Sequence, residues 1–143
     1  MNVFTYGTLM FPEVWQMVVG RIYSTLGATL PGHAIFAVRG VVYPGMIRTD
    51  DSCVAQGLVY LEVETTALAQ LDQFEDDFYA RELVTIACSD GHERKAYAYI
   101  IRDEERHVLT NQRWSADEFT ARGDLARFIA RYGGFCRIRS DQA

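Results

Sequence analysis

The chain has 143 residues, 49% of them hydrophobic and 23% charged, with a net charge of −5. This composition predicts one globular domain with a sizeable core, and an acidic chain without a basic stripe is not expected to bind nucleic acid. No apolar run approaches the roughly 20 residues that cross a bilayer, so no membrane segment is expected.

The first half of the chain combines one helix with several strand-like segments. Val3, Phe4 and Tyr6 indicate a short apolar strand, and a helix is predicted from Pro12 to Gly20. Alternating or apolar segments bounded by turn residues then predict further strands. These strands cover residues 24–30, 33–39, 43–49 and 54–63, of which 43–49 contains Pro44 and Gly45 and is predicted to lie at an edge.

The second half changes period and then returns to strands. Thr65 is a plausible N-cap for a helix that carries Leu68, Leu71 and Phe74 at helical spacing. Residues 79–88 and 93–101, separated by a Ser-Asp-Gly turn, predict a hairpin.

After a polar stretch, the chain is predicted to close with a helix over about residues 115–132. Ser115 and Glu118 form a capping box, and Trp114 and Phe119 have the spacing of a hydrophobic staple. Gly133-Gly134 is expected to end this helix. The order of elements predicts a single α+β domain over residues 1–143, with a core over 2–101 and a strongly curved or barrel-like sheet.

The cysteines and histidines are scattered along the chain and form no metal motif. Because Cys53, Cys88 and Cys136 are widely spaced and odd in number, reduced thiols in a cytoplasmic protein are the simplest interpretation. The start of the chain lacks the pattern of a signal peptide. None of the cysteines has a neighbouring histidine, which disfavours a cysteine nucleophile.

The segment LDQFEDDFYAR, residues 71–81, collects carboxylates at the C-terminal end of a predicted helix. Negative charge there opposes the helix dipole at a cost of about 0.3–1 kcal/mol for each residue. Glu75 is bracketed by aromatic residues, and partial burial beside other acids would raise its pKa, as suits a general acid/base. The alternative is a solvated helix end, which is the usual role of an acidic run.

The turn at Gly7 and Thr8 joins the first strand to the first helix. Gly7 could serve only to make the turn tight, or the exposed N–H groups could bind a carboxylate or phosphate. No GxGxxG or P-loop pattern surrounds the turn, so nucleotide binding is not predicted.

Taken together, the motifs resemble those of the γ-glutamylcyclotransferase-like family, in particular its AIG2-like branch. The resemblance covers residues 2–101 in consistent order, whereas the C-terminal helix carries no recognisable signature. The matching pieces are VFTYGTLM from Val3, LPGHAIFAVRG from Leu30, YPGM from Tyr43, GLVYLEV from Gly57, LDQFEDDFYAR from Leu71 and AYAYI from Ala96.

The resemblance implies a small mixed closed β-barrel with flanking helices and assigns roles to several residues. Glu75 is the implied acid/base, and Tyr79 lines the pocket together with a tyrosine of the late strand, either Tyr99, which is preferred, or Tyr97. The residue after the glutamate is often glycine in the family, but here it is Asp76, which either raises the pKa of Glu75 or points to water. The implied substrate-binding turn consists of Tyr6, Gly7, Thr8 and Leu9.

The activity that the resemblance implies needs no cofactor and no metal. A γ-glutamyl amino acid or amine would be converted to 5-oxoproline, with release of the attached amine. Two alternatives stay open: a non-catalytic module that binds a small carboxylate or γ-glutamyl metabolite in the same pocket, and a structural or interaction protein. The leaving amine and the oligomeric state are not predicted.

Overall fold

The computed structural model describes residues 1–50 and 52–131, in which five strands close into a barrel. The predicted fold, a small mixed closed β-barrel with flanking helices, is confirmed. The strands are β1 (Val3–Thr5), β2 (Thr25–Pro31), β3 (His33–Val38), β4 (Pro44–Arg48), β5 (Val54–Tyr60), β6 (Tyr79–Cys88), β7 (Glu93–Ile101) and β8 (Leu109–Arg113). The α-helices with defined ends are α1 (Pro12–Val19), α2 (Thr65–Phe74) and α3 (Ala116–Ala121), and short 3-10 helices span Thr8–Met10 and Asp103–Val108.

The barrel has the strand order β1-β5-β2-β6-β7. The short strand β1 closes it by pairing antiparallel with β5 and parallel with β7, where Val3 lies opposite Tyr97. The hairpin of β6 and β7 has the predicted bounds: β6 alternates between buried and exposed residues, β7 ends in four buried residues, and a turn at Gly91 joins the two strands. The alternation determines which side chains enter the barrel: Val84 and Ile86 are buried, whereas Leu83 is 57% exposed.

A second sheet, with the order β4-β3-β8, lies beside the barrel. Strand β4 is at its edge, as Pro44 and Gly45 predicted. Strand β8 was not predicted, since its sequence LTNQR is polar and has no buried residue.

Helices α1 and α2 cover the outside of the barrel near β1 and β5. On α1, Trp15 stacks on Tyr60 of β5 with 3.6 Å between ring centroids. On α2, Leu68 and Leu71 are buried as their spacing predicted. The prediction of Thr65 as N-cap was wrong by one residue: Thr65 is already helical and Glu64 is the N-cap, without a side-chain capping hydrogen bond.

The capping box and staple before α3 are present. The Ser115 hydroxyl accepts a hydrogen bond from the Glu118 N–H at 3.3 Å, and the rings of Trp114 and Phe119 are 5.5 Å apart. The prediction of one continuous helix over residues 115–132 was wrong. Gly123 adopts φ +75°, which interrupts the helix before residues 124–131 become helical again.

Two sequence features fall outside the described residues, namely Cys136 and the predicted helix end at Gly133-Gly134. Over the ranges that are described, the helices are too short or too polar to cross a membrane.

Candidate active site

A pocket with about 330 Å³ of space, part of it open to solvent, lies beside β1 and the turn that follows it. The first residue of β4, the C-terminal end of α2 and strands β6 and β7 contribute its other walls. All seven residues predicted from the sequence line this pocket, although their roles stay predictions. The lining consists of Phe4, Thr5, Tyr6, Gly7, Thr8, Leu9, Pro44, Glu75, Tyr79 and Tyr99.

The turn after β1 presents unused hydrogen-bond donors. The 3-10 helix is closed by hydrogen bonds from the Met10 N–H to the Gly7 carbonyl (3.0 Å) and from the Phe11 N–H to the Thr8 carbonyl (3.1 Å). Among the described residues, no group accepts a hydrogen bond from the N–H groups of Gly7, Thr8 or Leu9. Since a buried N–H group normally has a partner, these three donors are suited to an anionic ligand.

Gly7 is required here because another part of the pocket lies very close to it. A Cβ atom at this position would be 2.8 Å from Cγ and 2.9 Å from Cδ of Pro44. The backbone has φ −127°, outside the left-handed region, so the tight turn alone does not explain the glycine. The absence of a side chain lets the donor turn pack directly against Pro44.

Glu75 is the C-cap of α2, and its extended backbone (φ −75°, ψ 143°) ends the helix at the pocket. Its N–H donates to the Leu71 carbonyl at 3.0 Å, which completes the last turn of the helix. Burial raises the pKa of the Glu75 carboxyl to about 8, and the negative charges of Asp76 and Asp72 contribute to the rise. A carboxyl with this pKa can both accept and donate a proton near neutral pH.

Asp76, the departure from the family pattern, lies on the solvent side of Glu75. It is exposed, and one of its carboxylate oxygens accepts a hydrogen bond from the Tyr43 hydroxyl. Its charge nevertheless raises the pKa of Glu75, second only to burial among the causes. Exposure of a neighbouring carboxylate therefore did not prevent an electrostatic effect on Glu75.

Three tyrosines form much of the wall around Glu75. The Tyr6 hydroxyl donates to the Tyr99 carbonyl at 2.6 Å, and the Tyr79 hydroxyl donates to the Pro44 carbonyl at 2.5 Å. Burial is the main cause that raises the pKa of all three hydroxyls, and the charge of Glu75 contributes to each. Tyr99 lines the pocket whereas Tyr97 does not, and the choice of Tyr99 as a substrate-binding residue stays a prediction.

Asp72 and Pro44 are neighbours that sequence reasoning did not assign to the site. The Tyr99 hydroxyl donates to Oδ1 of Asp72 at 2.7 Å, and Oδ2 of Asp72 lies 3.0 Å from Nη1 of Arg81. Asp72 precedes Glu75 by nearly one helical turn, a spacing that places both on one side of α2. This spacing was the available signal for Asp72, whereas the contact of Pro44 with Gly7 depends on the folded chain.

Other potentially reactive side chains lie away from this pocket. Cys53 is partly exposed and Cys88 is buried, and neither is in the pocket wall. The described ranges contain no group of three or more His, Cys, Asp or Glu residues that could hold a metal ion.

Comparison with known proteins places the chain in a family. Residues 3–116 match the family model described as gamma-glutamyl cyclotransferase, AIG2-like. AIG2-like protein D of Arabidopsis thaliana is 37% identical over 94 residues, which are 66% of this chain and 61% of that protein. The chain spans about three fifths of the length of the first curated relatives it matches.

Solved structures share the fold. A solution structure from Arabidopsis thaliana has a TM-score of 0.71 at 21% identity, over 97% of this chain and 83% of that one. A yeast gamma-glutamyl cyclotransferase specific to glutathione has a TM-score of 0.59 at 14% identity, over 82% of this chain and 75% of its own. At these identities the likeness concerns the fold alone. The match of the family model over residues 3–116 shows that the chain belongs to the gamma-glutamyl cyclotransferase, AIG2-like family.

Proposed function

We propose that this protein is a cofactor-independent γ-glutamylcyclotransferase that releases 5-oxoproline and an amine from a γ-glutamyl amino acid or γ-glutamyl amine. The observation that carries the proposal is the position of Glu75. Its carboxyl, with a pKa raised to about 8, shares one pocket with three backbone N–H groups that have no acceptor within residues 1–50 and 52–131. Membership of the family supports the same reaction class.

The reaction is an intramolecular acyl transfer. The α-amine nitrogen of the substrate attacks the γ-carbonyl carbon, and the bond from that carbon to the leaving amine breaks. The α-ammonium must lose one proton before it attacks, and the same nitrogen loses a second proton as the lactam forms, while the leaving amine gains both and departs as an ammonium. Glu75 accepts each proton in turn and donates it to the leaving amine, so that it ends each cycle in its starting state.

The N–H groups of Gly7, Thr8 and Leu9 bind the α-carboxylate of the substrate in this proposal. Hydrogen bonds to a charged acceptor are stronger than those between neutral groups, which favours an anion over water at this turn. Holding the carboxylate fixes the end of the substrate that carries the nucleophile. Because ring closure is intramolecular, such positioning can contribute several kcal/mol to lowering the barrier.

The test is release of 5-oxoproline from γ-glutamyl amino acids, glutathione and γ-glutamyl-lysine, with Glu75→Gln beside the native protein. Gln keeps the shape of the side chain but cannot transfer the proton, so turnover should fall by at least about 100-fold. Asp77→Asn is the matched control, because Asp77 is exposed and lies in the same loop outside the pocket wall.

The outcomes separate the enzyme from the binding module. Turnover by the native protein and by Asp77→Asn, lost in Glu75→Gln, supports the proposal. Equal turnover by Glu75→Gln would refute the assigned role. If no substrate in the panel is consumed but a γ-glutamyl ligand raises the melting temperature of all three proteins, the pocket is a binding site without this chemistry. A cytoplasmic location stays a prediction from the cysteines.

A further inference from the structure

A second cavity adjoins the candidate active site at the turn after β1. It has about 1120 Å³ of space, part of it open to solvent, and Tyr6 lies in the walls of both cavities. Met10, the last residue of the 3-10 helix in this turn, also lines it. We call this cavity the β5 groove, and its walls are residues 54–57, residues 113–117, Tyr6, Met10 and Ile35.

One edge of β5 is unpaired along this groove. Strand β2 pairs with β5 as far as Val54, whereas β1 pairs with it only as far as Leu58. The Leu58 carbonyl faces β1, since it accepts a hydrogen bond from the Thr5 hydroxyl at 2.8 Å. Backbone groups alternate in direction along a strand, so those of Gln56 and Val54 point to the side that β1 leaves uncovered. Within residues 1–50 and 52–131, the backbone groups of these two residues have no hydrogen-bond partner on that side.

Arg113 brings a positive charge with unused donors to the wall of the groove. Its Cζ lies 4.9 Å from the ring centroid of Phe36, and its Nη2 lies 3.7 Å from Sγ of Cys53. Sulfur is a weak acceptor, whereas a guanidinium has five N–H donors. Among the described residues no carboxylate forms an ion pair with Arg113, and this includes Asp117 of the same wall. Arg113 is exposed, so its guanidinium is available to an anionic group in the groove.

The groove has the length of a short extended peptide. One end lies beside Gly57, because Tyr6 directly follows the last residue of β1 that pairs with β5. The other end lies beside Val54, because Arg113 contacts the preceding residue, Cys53. Three residues of strand separate these ends, a distance of about 10 Å. Extended peptides bind to a free strand edge through main-chain hydrogen bonds, and a peptide of three residues would reach from one end to the other.

We propose that the β5 groove binds the leaving group of the substrate as an added strand, and that this leaving group is a short peptide whose terminal carboxylate is bound by Arg113. The inference rests on the proposed function for the γ-glutamyl end, which occupies the adjoining pocket. The bond that breaks joins the γ-carbonyl carbon to the α-amine nitrogen of the peptide, so the products are 5-oxoproline and the free peptide. A simple amine would leave both the edge of β5 and Arg113 unused.

The carboxylate is tested with γ-glutamyl-Ala-Gly-Gly and its C-terminal amide, and release of 5-oxoproline gives kcat/KM for each. The native protein should use the acid about 5-fold better than the amide, which is the upper range for an exposed ion pair. In Arg113→Gln this ratio should fall to about one. Arg39→Gln is the matched control and should keep the ratio, because Arg39 follows β3 of the same sheet but is outside the groove wall.

The strand pairing is tested by replacing either glycine of the substrate with sarcosine, which carries a methyl group in place of the N–H proton. Successive N–H groups of a strand point in opposite directions, so only one of the two faces β5. One replacement should lower kcat/KM by about 5-fold or more through loss of a main-chain hydrogen bond, and the other should have a much smaller effect.

Calorimetric binding of the same peptides to Glu75→Gln separates this inference from the proposed function. Equal use of acid and amide, a ratio that survives in folded Arg113→Gln, or equal effects of the two sarcosines would overturn the groove as the leaving-group site. Turnover of γ-glutamyl-ethylamide without discrimination among the peptides would overturn the groove alone. If no substrate releases 5-oxoproline but binding prefers the acid and loses that preference in Arg113→Gln, the enzymatic function is refuted and the peptide site stands.

Discussion

Glu75→Gln should become more stable relative to the native protein as the pH rises, while it removes the proposed activity. In the folded protein the pKa of Glu75 is raised from 4.5 to about 8. Between these pH values the folded state retains a proton that the unfolded state releases. The free energy of unfolding of the native protein therefore falls as pH rises through this window and levels off above it.

The size of the effect follows from the same pKa. At about 1.4 kcal/mol for each pH unit, a rise from 4.5 to about 8 corresponds to nearly 5 kcal/mol of lost stability once the carboxylate is fully ionised. Glu75 is only partly buried, and solvent at the pocket mouth reduces this value. We expect Glu75→Gln to match the native protein near about pH 5 and to exceed it by about 2–4 kcal/mol near about pH 9.

Urea unfolding of both proteins at several pH values measures the difference directly. Groups common to the two proteins titrate alike and cancel, so the difference isolates Glu75. Asp77→Asn, which removes an exposed carboxylate from the same loop, should show no such rise with pH. A difference between Glu75→Gln and the native protein that stays within about 0.5 kcal/mol at every pH would refute the reasoning, because it would mean that the carboxyl is solvated.

Three further changes test separate parts of the structure. The pH profile of kcat/KM should have an ascending limb near pH 8, where free Glu75 loses its proton, and Asp76→Asn should move that limb to lower pH. Gly7→Ala should destabilise the protein by about 1–3 kcal/mol and weaken ligand binding, because the new methyl group would meet Pro44 at 2.8 Å. Ser115→Ala should cost about 1 kcal/mol in urea unfolding through loss of the α3 cap.

The changes at Gly7 and Ser115 each have a matched control. Gly27→Ala should be milder than the change at Gly7, since its Cβ would lie 3.8 Å from the nearest atom. Ser115→Gly should cost only a few tenths of a kcal/mol, because glycine is tolerated at an N-cap. An ascending limb that does not move in Asp76→Asn would contradict the electrostatic role of that carboxylate, and equal losses for the two glycine variants would contradict the contact with Pro44.

Local sequence patterns were sufficient for the elements that bury one face. The β6–β7 hairpin was predicted to the residue because its alternation, its turn and its burial agree. Strand β8 could not be predicted, since it pairs with β3 through backbone groups around a shift between Phe36 and Val38 while its side chains are polar. The break at Gly123 was missed because the flanking residues continue a helical pattern across it.

Site membership was predictable to a greater extent than site chemistry. A local conflict, a carboxylate among aromatic residues at a helix C-terminus, drew attention to Glu75 but left a solvated helix end as the alternative, and the family resemblance then assigned Glu75 to the site. The direction of each tyrosine proton was not visible, because it depends on acceptors distant in the chain. Tyr79 finds the Pro44 carbonyl 35 residues away, and Tyr6 finds the Tyr99 carbonyl 93 residues away.

The same features that disfavour ionisation of Glu75 also make it useful. Burial and the nearby charges of Asp76 and Asp72 hold its pKa near 8, and the surrounding tyrosines supply no proton to offset this. None of the residues that line the pocket carries a positive charge, whereas a bound ammonium would provide one. Binding of the ammonium should lower the pKa of Glu75 and draw the substrate's proton toward the carboxylate. The substrate would thus supply the positive charge that the pocket lacks. Without substrate, the ionised carboxylate of Glu75 lowers the stability of the folded protein, and this is why Glu75→Gln should unfold less readily at high pH.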